Sequence, residues 1–159
     1  MQLESMYQEI ILDHYRHPHH RGLAERFDAE AHHVNPTCGD EVTVRVRLEP
    51  GAEGLTVAEV THAGLGCSIS QASVSVMSDL VTGRPLDDAL TTHEEFVTLM
   101  QGRGQSDGVD QDRLDDALAF VGVAKYPARI KCALLGWMAF KDAAARAAAA
   151  RAADEGGSA

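Results

Sequence analysis

The most constraining feature of the chain is one run of alternation. Residues 41–48, EVTVRVRL, place Val42, Val44, Val46 and Leu48 on one side and Thr43, Arg45 and Arg47 on the other. Such a period of two specifies a β-strand with one buried face. The PGAEG segment at 50–54 is a turn, and LTVAEVTHA at 55–63 is a second strand. Together they form a hairpin, and a shorter strand around 31–35 is expected beside it.

The rest of the chain carries helical periodicity. Leu3, Tyr7, Ile10, Ile11 and His14 share one face of a helix over 3–16, which Pro18 stops. A helix opens at GLGCSIS (64–70), with Ser68 or Ser70 as its cap and Gly83 ending it. Thr92 and Glu95 are spaced as a capping box for a helix over 92–101. A short helix follows at 111–121. The last helix starts at Pro127, a residue suited to the first helical position. Its alanine-rich half is expected to protrude beyond the core and to fray by Glu155. This order predicts an α+β fold: a small antiparallel sheet of three strands with helices packed on one face. Residues 1–153 form a single domain, and 154–159 are a disordered tail.

Composition narrows the function. The formal net charge is −10, which opposes non-specific nucleic-acid binding and an anionic membrane surface. No run approaches the length of a membrane span. The N-terminus, MQLESMYQEIILDHYR, has periodic rather than continuous apolar residues and no basic start, so a signal peptide is not expected. The chain is read as cytoplasmic. Its 3 cysteines cannot all pair within the chain, and a reducing compartment disfavours disulfides.

A hairpin brings its own two ends together. Cys38 precedes the first clear strand and Cys67 follows the second, so both lie at the same end of it. Cys132 stands near the start of the last helix, which can approach that end. In C-G-D, Cys38 and Asp40 are two residues apart in an extended segment and project to the same side. Three thiolates and a carboxylate suit tetrahedral zinc, and thiolates equally suit an iron–sulfur cluster. The alternative is two buried core cysteines, with Asp40 capping a loop. Cys67 at a helix N-terminus, and Lys125, Arg129 and Lys131 around Cys132, favour thiolates.

The histidines read differently. His14, His17, His19, His20, His32 and His33 cluster in sequence. The reading preferred for them is a solvated HPHH loop with His14 on a helix face; a second metal site is the lesser alternative. His62 and His93 are expected at the surface or a sheet edge, and Trp137 in the core.

Four blocks carry a family resemblance: ILDHYRHP (11–18), NPTCGD (35–40), GLGCSIS (64–70) and PARIKCALLGW (127–137). With them the chain resembles, from about residue 3 to residue 142, the family of SufU, IscU and the N-terminal domain of NifU. The resemblance implies an α+β fold with three antiparallel strands. It also implies that Cys38, Asp40, Cys67 and Cys132 are the metal or cluster positions. Scaffold-type IscU members usually carry His immediately before the last cysteine, where this chain has Lys131, and have a shorter stretch between the last two cysteines. Both departures resemble the SufU branch. That branch implies a zinc-dependent, sulfurtransferase-like carrier that takes persulfide sulfur from a SufS-like cysteine desulfurase for iron–sulfur cluster assembly. A downstream cluster scaffold would receive the sulfur. Cys38, in a loop, is the expected acceptor, and Arg129 and Lys131 are expected beside the site or facing the partner. The competing readings are a scaffold for a [2Fe–2S] cluster on the same ligands, and a zinc-stabilised interaction module without chemistry.

Overall fold

A computed structural model describes the backbone of residues 2–157 and the side chains of residues 4–153. Helix α1 (Gln2–Arg16) leads into strands β1 (Ala29–Asn35), β2 (Asp40–Gly51) and β3 (Gly54–Leu65). Helices α2 (Ser68–Val81), α3 (Leu86–Gln101) and α4 (Gln111–Leu114) follow. A 3₁₀ segment (Asp115–Lys125) and the long α5 (Pro127–Gly157) complete the order. The sheet is antiparallel in the order β1-β2-β3, so β2 is central. This is the α+β fold that the alternation predicts.

The alternation of β2 is reproduced in its burial. Val44, Val46 and Leu48 are fully buried, Val42 nearly so, and the residues between them are half-buried. Each fully buried aliphatic side chain contributes about 1.5–3 kcal/mol, which holds the register against a one-residue slip. Helices α2 and α5 cover that inner face. The outer face is crossed by the segment after α1, where the Phe27 ring lies 4.2 Å from the Arg45 guanidinium carbon and Arg45 donates to the Ala24 carbonyl.

Several local expectations change. The N-cap of α2 is Cys67, without a side-chain cap; Ser70 instead donates back to the Cys67 carbonyl at 3.0 Å. Helix α3 starts at Leu86, six residues before Thr92. Pro85 is its N-cap, and the Thr92 hydroxyl donates to the Asp88 carbonyl inside the helix. The Thr92–Glu95 spacing is therefore not a capping box. The helix expected over 111–121 is broken at Asp115, whose φ of 46° is left-handed, and continues as 3₁₀.

The alanine-rich half of α5 does not protrude. Ala139, Ala143, Ala144 and Ala147 are fully buried. Small side chains let this helix lie close against β1 and β2, and its rim is tied to β1 by Arg146 donating to the Glu30 carbonyl at 3.0 Å. Residues 154–157, expected as tail, continue the helix; residues 158–159 lie outside the described residues.

His62 and His93 are core residues rather than surface ones, at 3% and 2% exposure. Burial holds both imidazoles neutral. His93 is pushed down to about 4 by burial, with the Lys141 charge adding to this and a hydrogen bond with the Trp137 backbone opposing it. His62 is lowered mainly by burial. The unfolded chain protonates His93 near its ordinary value of 6.5, whereas the folded chain resists until about 4. The unfolded state therefore binds more protons in that window, and stability is lost as pH falls through it. We expect His93 to account for roughly 1–2 kcal/mol of stability lost between about pH 6.5 and pH 5. Urea unfolding at the two pH values checks this: the loss shrinks in His93→Gln, and an unchanged loss would refute it.

Candidate metal centre

Three chain segments converge at one end of the β2–β3 hairpin. The loop after β1 supplies Cys38, with Gly39 in a left-handed conformation at φ 71°. Asp40 opens β2, and Cys67 caps α2 directly after β3. Cys132 comes from the second turn of α5. Pairing of Asn35 with Asp40, and of Glu41 with Leu65, closes this end of the sheet and sets the loops side by side.

Ligand atoms of Cys38, Asp40 and Cys132 lie within 4.8 Å of one another. Cys38 Sγ and Cys132 Sγ share a neighbour, the Ala128 carbonyl, at 4.0 and 3.7 Å. Cys67 lies outside that group but adjoins it: its backbone N–H donates to Asp40 Oδ1 at 2.9 Å, and its thiol lies 3.9 Å from Ser70 Oγ. The structure thus groups the ligand atoms of three of the four residues that the spacing singles out, Cys38, Asp40 and Cys132, and places Cys67 against Asp40 through its backbone N–H.

Their exposure is graded. Cys38 is exposed, Cys67 half-buried and Cys132 buried. Asp40 is fully buried, and its Oδ2 has no hydrogen-bond partner. An unpartnered carboxylate oxygen in a dry site costs several kcal/mol on the order of a lost charged hydrogen bond, unless a cation meets it. Burial pushes the Cys132 thiol up, and the neighbouring side chains of Asp40, Cys38 and Cys67 push in the same direction. The protein alone therefore holds acceptors and thiols that repel further negative charge. A divalent ion reverses that preference, so this donor set fits zinc or a thiolate-ligated cluster.

Gly66 makes room for the carboxylate. A Cβ there would fall 2.5 Å from Asp40 Oδ1 and 2.4 Å from Ser70 Oγ. The second glycine of G-L-G-C is thus explained by the tertiary approach of β2. Arg129 and Lys131 stand exposed on the first turns of α5, just before Cys132 in the sequence of that helix's start.

A second group of possible ligands, His14, His19 and Asp79, lies elsewhere, on α1, the loop after it and α2. No helix among the described residues is long and apolar enough to cross a membrane.

Comparison with known proteins gives consistent matches. The family model for the NifU-like N terminal domain matches residues 6–133. The chain is 39% identical over 145 residues to the zinc-dependent sulfurtransferase SufU of Bacillus subtilis (strain 168), covering 91% of this chain and 92% of that protein. It is 36% identical over 149 residues to the iron–sulfur cluster assembly scaffold protein IscU of Streptococcus pyogenes serotype M1, covering 94% and 89%. The crystal structure of a nitrogen-fixing NifU-like protein (N-terminal) from Brucella abortus superposes with a TM-score of 0.78 at 25% identity, covering 92% of this chain and 97% of that one. The family match spans most of the sequence and both relatives are covered nearly end to end: the chain belongs to the NifU-like N-terminal domain family.

Proposed function

We propose that the protein is a zinc-dependent sulfur acceptor acting in iron–sulfur cluster assembly, with Cys38, Asp40, Cys67 and Cys132 as metal ligands and Cys38 as the acceptor thiol. The carrying observation is the graded site: an exposed thiol beside two less exposed ones and a buried carboxylate with an unpartnered oxygen. The name of the Bacillus relative supports the zinc-dependent reading.

A bound zinc ion supplies the positive charge that keeps the thiols deprotonated at neutral pH. Cys38 is the thiol a partner can reach. Its sulfur attacks the outer sulfur of a cysteine persulfide presented by a cysteine desulfurase. A new S–S bond forms on Cys38, the old S–S bond breaks, and the desulfurase cysteine departs as a thiolate. No external oxidant or reductant is needed, because the sulfane sulfur merely changes carrier. Gly39 lets the Cys38 loop move without unwinding a helix. Cys67 and Cys132 are held at helix starts, and Asp40 is anchored by the Cys67 N–H. Arg129 and Lys131 offer positive charge to the docking desulfurase. The Cys38 persulfide is then passed to a downstream cluster scaffold.

The test pairs metal analysis with sulfur transfer. Purified protein is expected to be colourless, to carry about one equivalent of zinc, and to acquire persulfide when mixed with a cysteine desulfurase and cysteine. Brown protein with a [2Fe–2S] absorption spectrum would replace this reading with the scaffold. Zinc without any sulfur uptake would leave an inert zinc-stabilised module.

A further inference from the structure

We propose that His14, His19 and Asp79 form a second site for a divalent transition-metal ion of the zinc class, separate from the thiol cluster. A ring nitrogen of each histidine and a carboxylate oxygen of Asp79 lie within 4.8 Å of one another. Two imidazoles and a carboxylate are a donor set for such ions, with further positions left for water or a fourth ligand.

The site is built by three elements. Ser75 and Asp79 are four residues apart on α2 and so share a face. His14 is buried at 4% exposure on α1, with Nδ1 2.8 Å from Ser75 Oγ. The same hydroxyl oxygen accepts the His19 backbone N–H at 2.8 Å, which fixes the turn after Pro18. His19 Nδ1 then meets Asp79 Oδ2 directly, and the His14 and His19 rings lie 4.5 Å apart. His20, in a left-handed conformation at φ 60°, brings Nε2 to 3.0 Å from Asp79 Oδ1.

The surroundings suit a cation. A ligating imidazole uses one nitrogen for the ion and gives the other a hydrogen-bond partner. Ser75 is such a partner for His14. Asp116 Oδ2 stands 3.6 Å from His14 Nε2, and Asp115 lines the same cavity with Asp79 and Asp116. Arg84 also lines it, but its guanidinium is paired with Asp88 at 3.1 Å. His32 and His33 do not contribute: their rings bond Thr43 and Asp142 from β1. Asp79 is nearly the whole of α2 away from Cys67, about 18 Å along the helix axis. The two sites are therefore distinct.

Equilibrium dialysis of the full chain against Zn²⁺ tests the site. The parent chain is expected to bind one equivalent more than Asp79→Asn or His19→Gln. Asp79 and His19 are exposed, so the fold should survive both changes. His32→Gln should match the parent. Equal binding by parent and Asp79→Asn would overturn the proposal and leave Asp79 as an ion-pair partner of His19 and His20. Cobalt(II) reads the other site independently, through its thiolate charge-transfer band. That band is expected to persist in Asp79→Asn. Its absence from the parent would count against the thiol centre alone, because the Asp79-dependent equivalent does not require it.

Discussion

Replacing Cys38 by Ser should reduce persulfide acceptance by about 100-fold or more while leaving the fold intact. A hydroxyl cannot carry sulfane sulfur, and its high pKa makes it a poor nucleophile without a base beside it. The exposed position of Cys38 is the reason the fold survives: its side chain fills no core space. Cys67→Ser and Cys132→Ser should behave differently. Both lie closer to the interior, and Cys132 is fully buried, so their loss should lower zinc affinity and stability as well as transfer. The measurement is sulfur uptake from a desulfurase persulfide, read by mass spectrometry of the intact chain, beside zinc content. Normal uptake by Cys38→Ser would move the acceptor role to Cys67, the next most exposed thiol.

The largest stability effect is expected at Trp137. Trp137→Ala should cost about 3–5 kcal/mol, read as a lowered urea midpoint. Its ring is fully buried and stacks on Phe96 with centroids 4.5 Å apart and planes at 10°. Its indole N–H donates to Ser73 Oγ at 3.1 Å, and Ser73 in turn donates to the Ala133 carbonyl at 2.6 Å. These bonds join α2 to α5 one residue past Cys132. Truncation therefore leaves a cavity and loosens the helix that delivers the third thiol. Trp137→Phe keeps the stacking and loses only the N–H, and it should cost roughly 1–2 kcal/mol. A small effect for Trp137→Ala would mean that α5 is positioned by its alanine face on the sheet instead.

Legibility from sequence followed the range of the interactions. The period-two run of β2 was readable because each side chain reports its own face. The hairpin was readable because a turn lies between two such runs, and that alone put Cys38 and Cys67 at one end. Helix boundaries were less legible. Thr92 looks like a cap, yet the preceding residues Leu86 to Thr91 are already helical, and its hydroxyl closes a bond within the helix. The alanine-rich half of α5 has almost no amphipathic signal, because alanine fits both surface and core. Its burial is visible only with the sheet beside it. The buried histidines were missed for the same reason: a lone imidazole carries no sign of whether Trp137 or solvent will surround it.

By itself the sequence determined the strand alternation, the α+β order, the four candidate ligands and the family. These follow from neighbours along the chain, or from motifs whose spacing survives in one dimension. The tertiary structure decided what depends on distant segments meeting. It set the graded exposure of the three thiols and left the buried Asp40 oxygen without a partner. It seated α5 on the sheet, and it gathered His14, His19 and Asp79 from two helices and a loop. Burial and convergence arise from packing across many tens of residues, and no local pattern encodes them.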